Sequence, residues 1–360
     1  MDNVPLVTAI VLIVIGVLLA VSSLASRVSS KLGVPTSLVF LGIGMLAGSD
    51  GLGGIWFDDF EIAYMFGTLA MVVILFSGGL NTPLPQIKSA IAPTLVLSTV
   101  GVLGMAVLTA VGAKVLGLSW PEALLVGAIV SSTDASAVFA VLQGVNLRKR
   151  VALTLELESG LNDPVAVILT VVMTANLTAT ESLNWTILPE MVQQLLIGVG
   201  IGGAMGYLGQ LLLRRIPLST GALVPVLSLG LALIAYGIAT VADGSGMLAV
   251  YLAGMVIGNS PLPERQFLTG VHDSFAWLAQ VGMFLLLGLL VFPSRLPEVA
   301  ASGLFLAGYL AIAARPLVVT LCLLPFRFSW QETLYVSWVG LRGGCSDYFG
   351  NHSRIERCQI

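Results

Sequence analysis

Two apolar stretches of the sequence carry polar residues that could bind a cation. An ionisable side chain in hydrocarbon costs on the order of 3 kcal/mol or more, so each one needs a partner or a function. Carboxylate, hydroxyl and amide oxygens are ligands for hard cations. The polar residues are Ser131-Ser132-Thr133-Asp134-Ala135-Ser136 in the run 122–143, and Glu156, Glu158, Ser159, Asn162 and Asp163, ahead of Pro164, in the run 153–177.

Asp134 and Asp163 are predicted to lie at the same depth in the membrane. Asp134 is eleven residues from the inner end of its helix near residue 145, and Asp163 is eleven residues from the inner start of its helix near residue 152. At 1.5 Å per helical residue, both lie about 16 Å along antiparallel helices, near the midplane. Low-dielectric surroundings favour the neutral form of a carboxylate, so such a group binds protons as well as cations. If a proton and a cation compete for one carboxylate that opens alternately to the two sides of the membrane, the protein exchanges one for the other.

A helix beginning at Asp163 is the alternative interpretation, with Asp163 as N-cap and Pro164 in the first turn. That helix would have about thirteen residues before the polar stretch near Asn176, too few to span a membrane. We therefore predict that the helix continues through Pro164. Proline cannot donate to the carbonyl four residues earlier, so the oxygen of Gly160 is freed.

Helical spacing predicts which neighbours share the site. Asp163 and Ser159 are four residues apart on one face, with Glu158 and Asn162 beside them. Arg315, inside another apolar run, is the expected cationic partner of Glu158. That pair would be structural and would hold the site in one geometry.

Composition predicts an all-α polytopic membrane protein. Of 360 residues, 57% are hydrophobic and 10% charged, with a mean hydropathy of +0.98, whereas soluble domains carry about 25% charged residues. A twelfth apolar run starts near Trp330, and the short run 245–258 is expected to be tilted, broken or re-entrant. The eleven other runs are 5–25, 34–48, 62–80, 90–115, 122–143, 153–177, 187–213, 220–241, 245–258, 272–292 and 299–325.

Several function classes are disfavoured. The net charge of −3 is too small to imply a nucleic-acid partner, and no cofactor motif is present. Intramembrane proteases use Gly-x-Gly-Asp or His-Glu-x-x-His, and the sequence contains neither. An enzyme is therefore not expected.

The basic residues predict the orientation, with the N-terminus outside. By the positive-inside rule, the loops rich in Lys and Arg face the cytoplasm. Ten basic residues occupy alternate loops, and two occupy the others together with most of the loop carboxylates. The ten are Arg27, Lys31, Lys88, Arg148, Lys149, Arg150, Arg214, Arg215, Arg265 and Arg327; the two are Lys114 and Arg295.

The ordered set of polar motifs resembles the monovalent cation:proton antiporter family 1. The resemblance runs from about residue 5 to Gly343 and is nearest to bacterial NhaP-type sodium/proton exchangers and potassium/proton (cell volume regulation) antiporters. The motifs that carry it are Thr133-Asp134, Glu158-Ser159-Gly160-Leu161-Asn162-Asp163-Pro164, Ala314-Arg315-Pro316 and Gly340-Leu341-Arg342-Gly343.

The resemblance implies a homodimer in the inner membrane, with an inverted-repeat fold and broken helices crossing beside the ion site. It implies that Asp163 carries the cation and the proton. Thr133, Asp134, Ser159 and Asn162 would lie beside it, and Glu158 would be tied to Arg315. Asn162, where some relatives carry a second Asp, implies electroneutral exchange. The position where members often carry an acidic residue is Ser77 here, which leaves the favoured cation open between K⁺, Na⁺ and Li⁺.

The sequence after Gly343 does not fit this pattern. The run from Trp330 is too short to span before polar residues follow, and Cys345, His352 and Cys358 fall in this tail. Reading its degenerate codons from one base later permits an apolar, helix-like sequence. We expect 1–343 to be an exchanger domain, incomplete at its C-terminus with its last helices missing, and 344–360 to be a frameshifted tail. A chain ending in this way is expected to be inactive.

A cation channel is the alternative function, because oxygen ligands alone do not establish exchange. A channel would conduct cations without moving protons. Proton coupling therefore discriminates between the two hypotheses.

Overall fold

The structure, a computed structural model, describes residues 4–32, 36–84, 90–133, 148–178, 187–215, 221–262 and 265–339. Those residues are helical apart from short connections and one isolated bridge between Gly48 and Ile55. The thirteen helices within these described ranges are α1 Val4–Leu32, α2 Thr36–Ala47, α3 Phe60–Asn81, α4 Ile91–Val115, α5 Trp120–Val130, α6 Lys149–Thr178, α7 Ile187–Arg215, α8 Leu223–Val241, α9 Gly246–Gly258, α10 Arg265–Leu290, α11 Leu296–Tyr309, α12 Arg315–Leu323 and α13 Trp330–Val339.

The predicted all-α membrane fold is confirmed. Seven segments of the described chain are long and apolar enough to cross a membrane, and four shorter apolar helices accompany them. Each of the eleven predicted runs contains one of these helices. The short run 245–258 forms a helix of 13 residues, α9, about 20 Å long, which is too short to cross 30 Å of hydrocarbon alone.

Two boundaries differ from the hydropathy pattern in an informative way. Within the run 122–143, α5 ends at Val130, before the Ser-Ser-Thr sequence. The helix α10 begins at Arg265, seven residues before the run 272–292, so His272 and Asp273 lie in its third turn rather than at its start. Hydropathy locates apolar segments, whereas helices continue into polar residues when those find hydrogen-bond partners.

Two segments depart from regular α-helix. The residues Leu97–Gly101 within α4 form a π-helical turn, and Leu310–Ala314 form another that joins α11 to α12. Pro316 follows the second π turn and cannot donate a backbone hydrogen bond, which accounts for irregular helix there. Turns of this kind frequently mark functional sites, and this one immediately precedes Arg315.

The described chain forms two compact units. One contains its residues up to 70 together with 277–300, and the other contains those between 71 and 276 together with 301–339. In the first unit, Phe40 of α2 packs with Val281 and Leu285 of α10. Gly44 permits this contact, because a Cβ there would lie 2.3 Å from the carbonyl oxygen of Leu285.

In the second unit, α9 lies against α3 and α7 at backbone distance. A Cβ on Gly258 would lie 2.1 Å from the carbonyl oxygen of Leu80, and one on Gly79 would lie 2.3 Å from that of Tyr251. On the other side, Cβ atoms on Gly198 and Gly202 would lie 2.7 and 2.6 Å from carbonyl oxygens of Ser245 and Ala249. Small residues allow such approach between membrane helices. The short helix α9 is therefore clamped between two longer ones.

Candidate functional site

The site begins where α5 ends. Ser131 caps the helix, and its hydroxyl donates 2.7 Å to the carbonyl oxygen of Ala128. Thr133 follows in non-helical backbone and is 4% exposed. A serine or threonine hydroxyl can satisfy backbone groups where a helix unwinds in a membrane. Backbone polar groups at the end of α5 therefore lie beside α6 without the hydrogen bonds of a regular helix.

The helix α6 continues without interruption from Lys149 to Thr178. The alternative in which a helix starts at Asp163 is therefore wrong. The helix has 30 residues, and Asp163 is the fifteenth of them, so its backbone lies at the middle of a helix about 45 Å long. Three buried polar residues, Glu158, Ser159 and Asn162, occupy the turn before it.

A hydrogen bond joins the end of α5 to α6. The Nδ2 of Asn162 donates to the Oγ1 of Thr133 at 2.6 Å, and both side chains are buried. The Oδ1 of Asn162 is buried and has no hydrogen-bond partner among the described residues. An unpartnered acceptor is costly at such a place, so this oxygen is available to an electropositive ligand.

Glu158 and Arg315 form a buried ion pair. The Nη2 of Arg315 lies 3.1 Å from Oε1 of Glu158, and the two side chains are 3% and 5% exposed. The Nε of Arg315 donates to the carbonyl oxygen of Ser337 at 3.1 Å, which ties α12 and α13 to α6. The second carboxylate oxygen of Glu158, Oε2, is buried and has no partner among the described residues.

Ser159 is fully buried, and its hydroxyl donates to the carbonyl oxygens of Leu155 and Glu156. Its lone pairs remain available, because a hydroxyl has one proton and two acceptor sites. The next residue, Gly160, lies against the ring of Tyr251, where a Cβ would approach to 2.9 Å. Tyr251 is also buried and bonds through its hydroxyl to Thr82 at 3.1 Å.

Three of the predicted site features lie outside the described residues: Asp134, Arg342 and the side chain of Asp163. Of the remaining ones, the structure brings Thr133 together with Asn162 and Glu158 together with Arg315. Ser159 lies on the same turn of α6. The described atoms form a buried, oxygen-lined region in which the cationic group, Arg315, is already held by a carboxylate.

Asp273 belongs to none of the polar motifs from which the site was predicted. Its Oδ1 accepts a hydrogen bond from the hydroxyl of Ser77 at 2.6 Å and another from Asn81 Nδ2 at 2.8 Å. Ser77 is the position at which the resemblance implied a missing carboxylate, and α10 places one beside it. The signal that could have identified Asp273 is an acidic residue near the start of an apolar run, eight residues beyond the basic Arg265.

The sequence pattern of the transmembrane sodium/hydrogen exchanger family matches residues 9–348. The chain belongs to this family. Its relatives in the sodium/hydrogen exchanger family include the K⁺/H⁺ antiporter NhaP of Alkalimonas amylolytica, 46% identical over 92% of this chain. The K⁺/H⁺ antiporter NhaP2 of Shewanella sp. strain ANA-3 is 45% identical over 91% of the chain. The chain spans 58% of the length of each.

Two less similar proteins also match this chain. The Na⁺/H⁺ antiporter NhaS2 of Synechocystis sp. is 32% identical over 73% of this chain. The structure of the sodium proton antiporter MjNhaP1 from Methanocaldococcus jannaschii superposes with a TM-score of 0.78 at 24% identity, covering 93% of this chain and 84% of that one. The fold is therefore that of MjNhaP1, as the motif resemblance predicted.

Proposed function

We propose that the chain is the membrane domain of an antiporter that exchanges a monovalent cation, K⁺ or Na⁺, for protons across the bacterial inner membrane. Membership of the sodium/hydrogen exchanger family supports this proposal. The names of the 46% and 45% identical relatives, K⁺/H⁺ antiporters, favour K⁺ as the cation to test first. We also propose that the protein is a homodimer and that its exchange is electroneutral.

The observation that carries the proposal is a pair of buried oxygens beside the unwound end of α5. Oε2 of Glu158 and Oδ1 of Asn162 are buried acceptors with no partner among the described residues. Two such acceptors on adjacent turns of one helix favour a cation or a proton donor over an anionic ligand. The only cationic side chain described at this site, that of Arg315, contacts the other oxygen of Glu158.

In this mechanism Asp163 takes up either the proton or the cation at the midpoint of α6. Thr133, Asp134, Ser159 and Asn162 supply further oxygens around the cation. Glu158 and Arg315 act as the structural pair that fixes the turn of α6 against α12. Arg342 belongs to the family motif Gly340-Leu341-Arg342-Gly343. Because a proton and a cation cannot both neutralise Asp163, binding of one displaces the other, and movement of the occupied site completes exchange.

The proposed orientation has the N-terminus outside and the basic loops in the cytoplasm. The loop before α6 ends with Arg148, the first turn of α6 carries Lys149 and Arg150, and α7 ends with Arg214 and Arg215 at the next loop on this side. These loops follow the positive-inside rule. The cytoplasmic entrance would then lie at the ends of the helices that border these loops.

The test is dissipation of a pH gradient in everted inner-membrane vesicles. They contain the protein expressed from its native gene, after resequencing of the codons around Gly344. K⁺, Na⁺ and Li⁺ are added in turn to the wild type, to Asp163→Asn and to Asp58→Asn, whose wild-type side chain is exposed. We expect a cation to collapse the gradient in the wild type and in Asp58→Asn, but not in Asp163→Asn.

Exchange by a well-folded Asp163→Asn protein at the wild-type rate would refute the role of Asp163. If no cation moves protons in the wild type, while a cation current flows under an imposed voltage, the protein is a channel. Measurement of both proton and cation flux in the same vesicles separates the two functions.

A further inference from the structure

Asp273 lies in the third turn of α10, near the start of the apolar run 272–292. It is eight residues beyond Arg265, the first residue of α10, which places it about 12 Å along the helix. The segment Arg265–Leu290 is one of the seven described segments that could cross a membrane. An ionisable residue there is expensive unless it has a partner or a ligand.

The partners of Asp273 come from the last two turns of α3. Ser77, which is 4% exposed, donates to Oδ1 at 2.6 Å, and Asn81 donates to the same oxygen at 2.8 Å. Both donors are neutral, and both bind one of the two carboxylate oxygens. Oδ2 has no hydrogen bond among the described residues, and Asp273 itself is only half-buried.

No positive charge among the described residues compensates Asp273. The ion pairs found there join Arg148 to Glu332 and Arg315 to Glu158, and neither involves Asp273. Two neutral side chains would be enough to clamp α3 to α10. The carboxylate of Asp273 adds a negative charge that the clamp does not need. Among the described residues, its Oδ2 and the side-chain oxygen of Asn81 remain free.

We propose that Asp273, with Ser77 and Asn81, forms a second binding site for a monovalent cation, at the end of the second unit where α3 finishes and α10 starts. Carboxylate, hydroxyl and amide oxygens from two helices provide hard ligands, and one negative charge matches one monovalent cation. In sequence, Lys88 follows α3 and Arg265 begins α10, and both belong to the basic set assigned to the cytoplasm, so in the proposed orientation the site faces the cytoplasm. It binds the ion on its way between cytoplasmic water and Asp163.

This inference rests on the proposed exchange activity, and it predicts a specific kinetic effect. The variant Asp273→Asn keeps an amide oxygen that accepts from Ser77 and Asn81, but it has no charge. We expect its apparent KM for the favoured cation to rise about tenfold, with a maximal rate within about twofold of the wild type. Its thermal unfolding midpoint in detergent is expected to match the wild type, because the interhelical clamp persists.

The matched control is Asp243→Asn, which removes an exposed carboxylate from the same unit. Asp243 has a positive φ of 55°, a conformation that asparagine also tolerates. We expect this variant to keep the wild-type KM. An effect of equal size in both variants would mean that any lost surface charge raises KM, and would overturn the site.

A charge swap gives the sharper test. Since Ser77 Oγ lies 2.6 Å from Asp273 Oδ1, the double variant Ser77→Asp with Asp273→Ser moves the carboxylate to α3 and leaves it between the same two helices. We expect the swap to bring the KM back to within about threefold of the wild type. A folded swap protein with the KM of Asp273→Asn would overturn the proposal.

The controls separate this inference from the proposed function. An unchanged KM in Asp273→Asn, with exchange that still depends on Asp163, overturns the second site alone. An unchanged KM with a lowered unfolding midpoint assigns Asp273 to the clamp and also overturns it. Absence of exchange in the wild type would refute the antiporter proposal itself.

Discussion

At the scale of single residues, two carboxylates of the second unit, Glu158 and Asp273, differ in how they are compensated. Glu158 is paired with Arg315 at 3.1 Å, whereas Asp273 is bound only by neutral groups. A buried ion pair adds little net stability, because desolvation offsets attraction, yet loss of one partner leaves a costly unpaired charge. This asymmetry suits a structural role for the first pair and a ligand-binding role for the second carboxylate.

The variant Arg315→Ala is expected to lower the free energy of unfolding by about 3–5 kcal/mol, because it leaves Glu158 buried and unpaired. The matched control is Arg148→Ala, which breaks the pair with Glu332. The side chain of Arg148 is 79% exposed, so its loss is expected to cost at most about 1 kcal/mol. Thermal unfolding in detergent measures both.

The double variant Arg315→Ala with Glu158→Gln tests whether the unpaired charge of Glu158 causes the loss of stability. Removal of the stranded charge is expected to recover part of the lost stability. Equal unfolding midpoints for the single and double variants would show that lost packing, rather than an unpaired carboxylate, explains the effect. Unchanged stability of Arg315→Ala itself would contradict the structural role of the pair.

At the scale of helices, glycines determine how closely α9 approaches α3. The contact brings Tyr251 against Gly79 and Gly160, and so places α9 next to the turn of α6 that carries Ser159. Backbone-to-backbone contact leaves no space for a methyl group. The short helix α9 therefore holds α3, with Ser77 and Asn81, in a fixed position within the second unit.

Gly258→Ala is expected to destabilise the protein by roughly 1–3 kcal/mol, because the added Cβ would overlap the carbonyl oxygen of Leu80 at 2.1 Å. The matched control is Gly230→Ala in α8, where no atom lies within 4 Å of the added carbon. This control is expected to leave stability unchanged or to raise it by about 0.5–1 kcal/mol, since alanine favours helix. Equal unfolding midpoints for the two variants would contradict the close packing of α3 and α9.

At the scale of the whole molecule, the basic residues predict one orientation. The exposed Asp58 lies before α3, and the exposed Arg215 ends α7. In the proposed orientation they face opposite sides of the membrane.

Cysteine labelling measures this orientation. In a background with Cys322, Cys345 and Cys358 replaced, an impermeant maleimide is expected to label Asp58→Cys in intact spheroplasts. It is expected to label Arg215→Cys only after permeabilisation. Labelling of Arg215→Cys alone in intact spheroplasts would invert the proposed orientation.

Much of the fold could be predicted because a segment that crosses the hydrocarbon layer must be apolar, and this requirement is visible in the composition of the segment itself. Apolar runs of the right length, separated by basic loops, predicted eleven helices, and each run contains one. Helical spacing likewise placed Glu158, Ser159 and Asn162 on adjacent positions of α6, because local geometry follows from the 3.6-residue period. The partner of Glu158 was also predictable, since Arg315 is a lone basic residue within an apolar run and a buried carboxylate requires a cation.

Other features depended on contacts that no local pattern encodes. The end of α5 at Val130 and the bond from Asn162 to Thr133 require two helices to meet at one depth and one rotation. Asp273 and Ser77 are 196 residues apart in sequence, and hydropathy placed Asp273 at the edge of its run. Sequence determined which residues enter the membrane, because burial of apolar surface is additive along the chain. Tertiary structure alone decided which polar groups meet, because a hydrogen bond depends on distance and direction between helices.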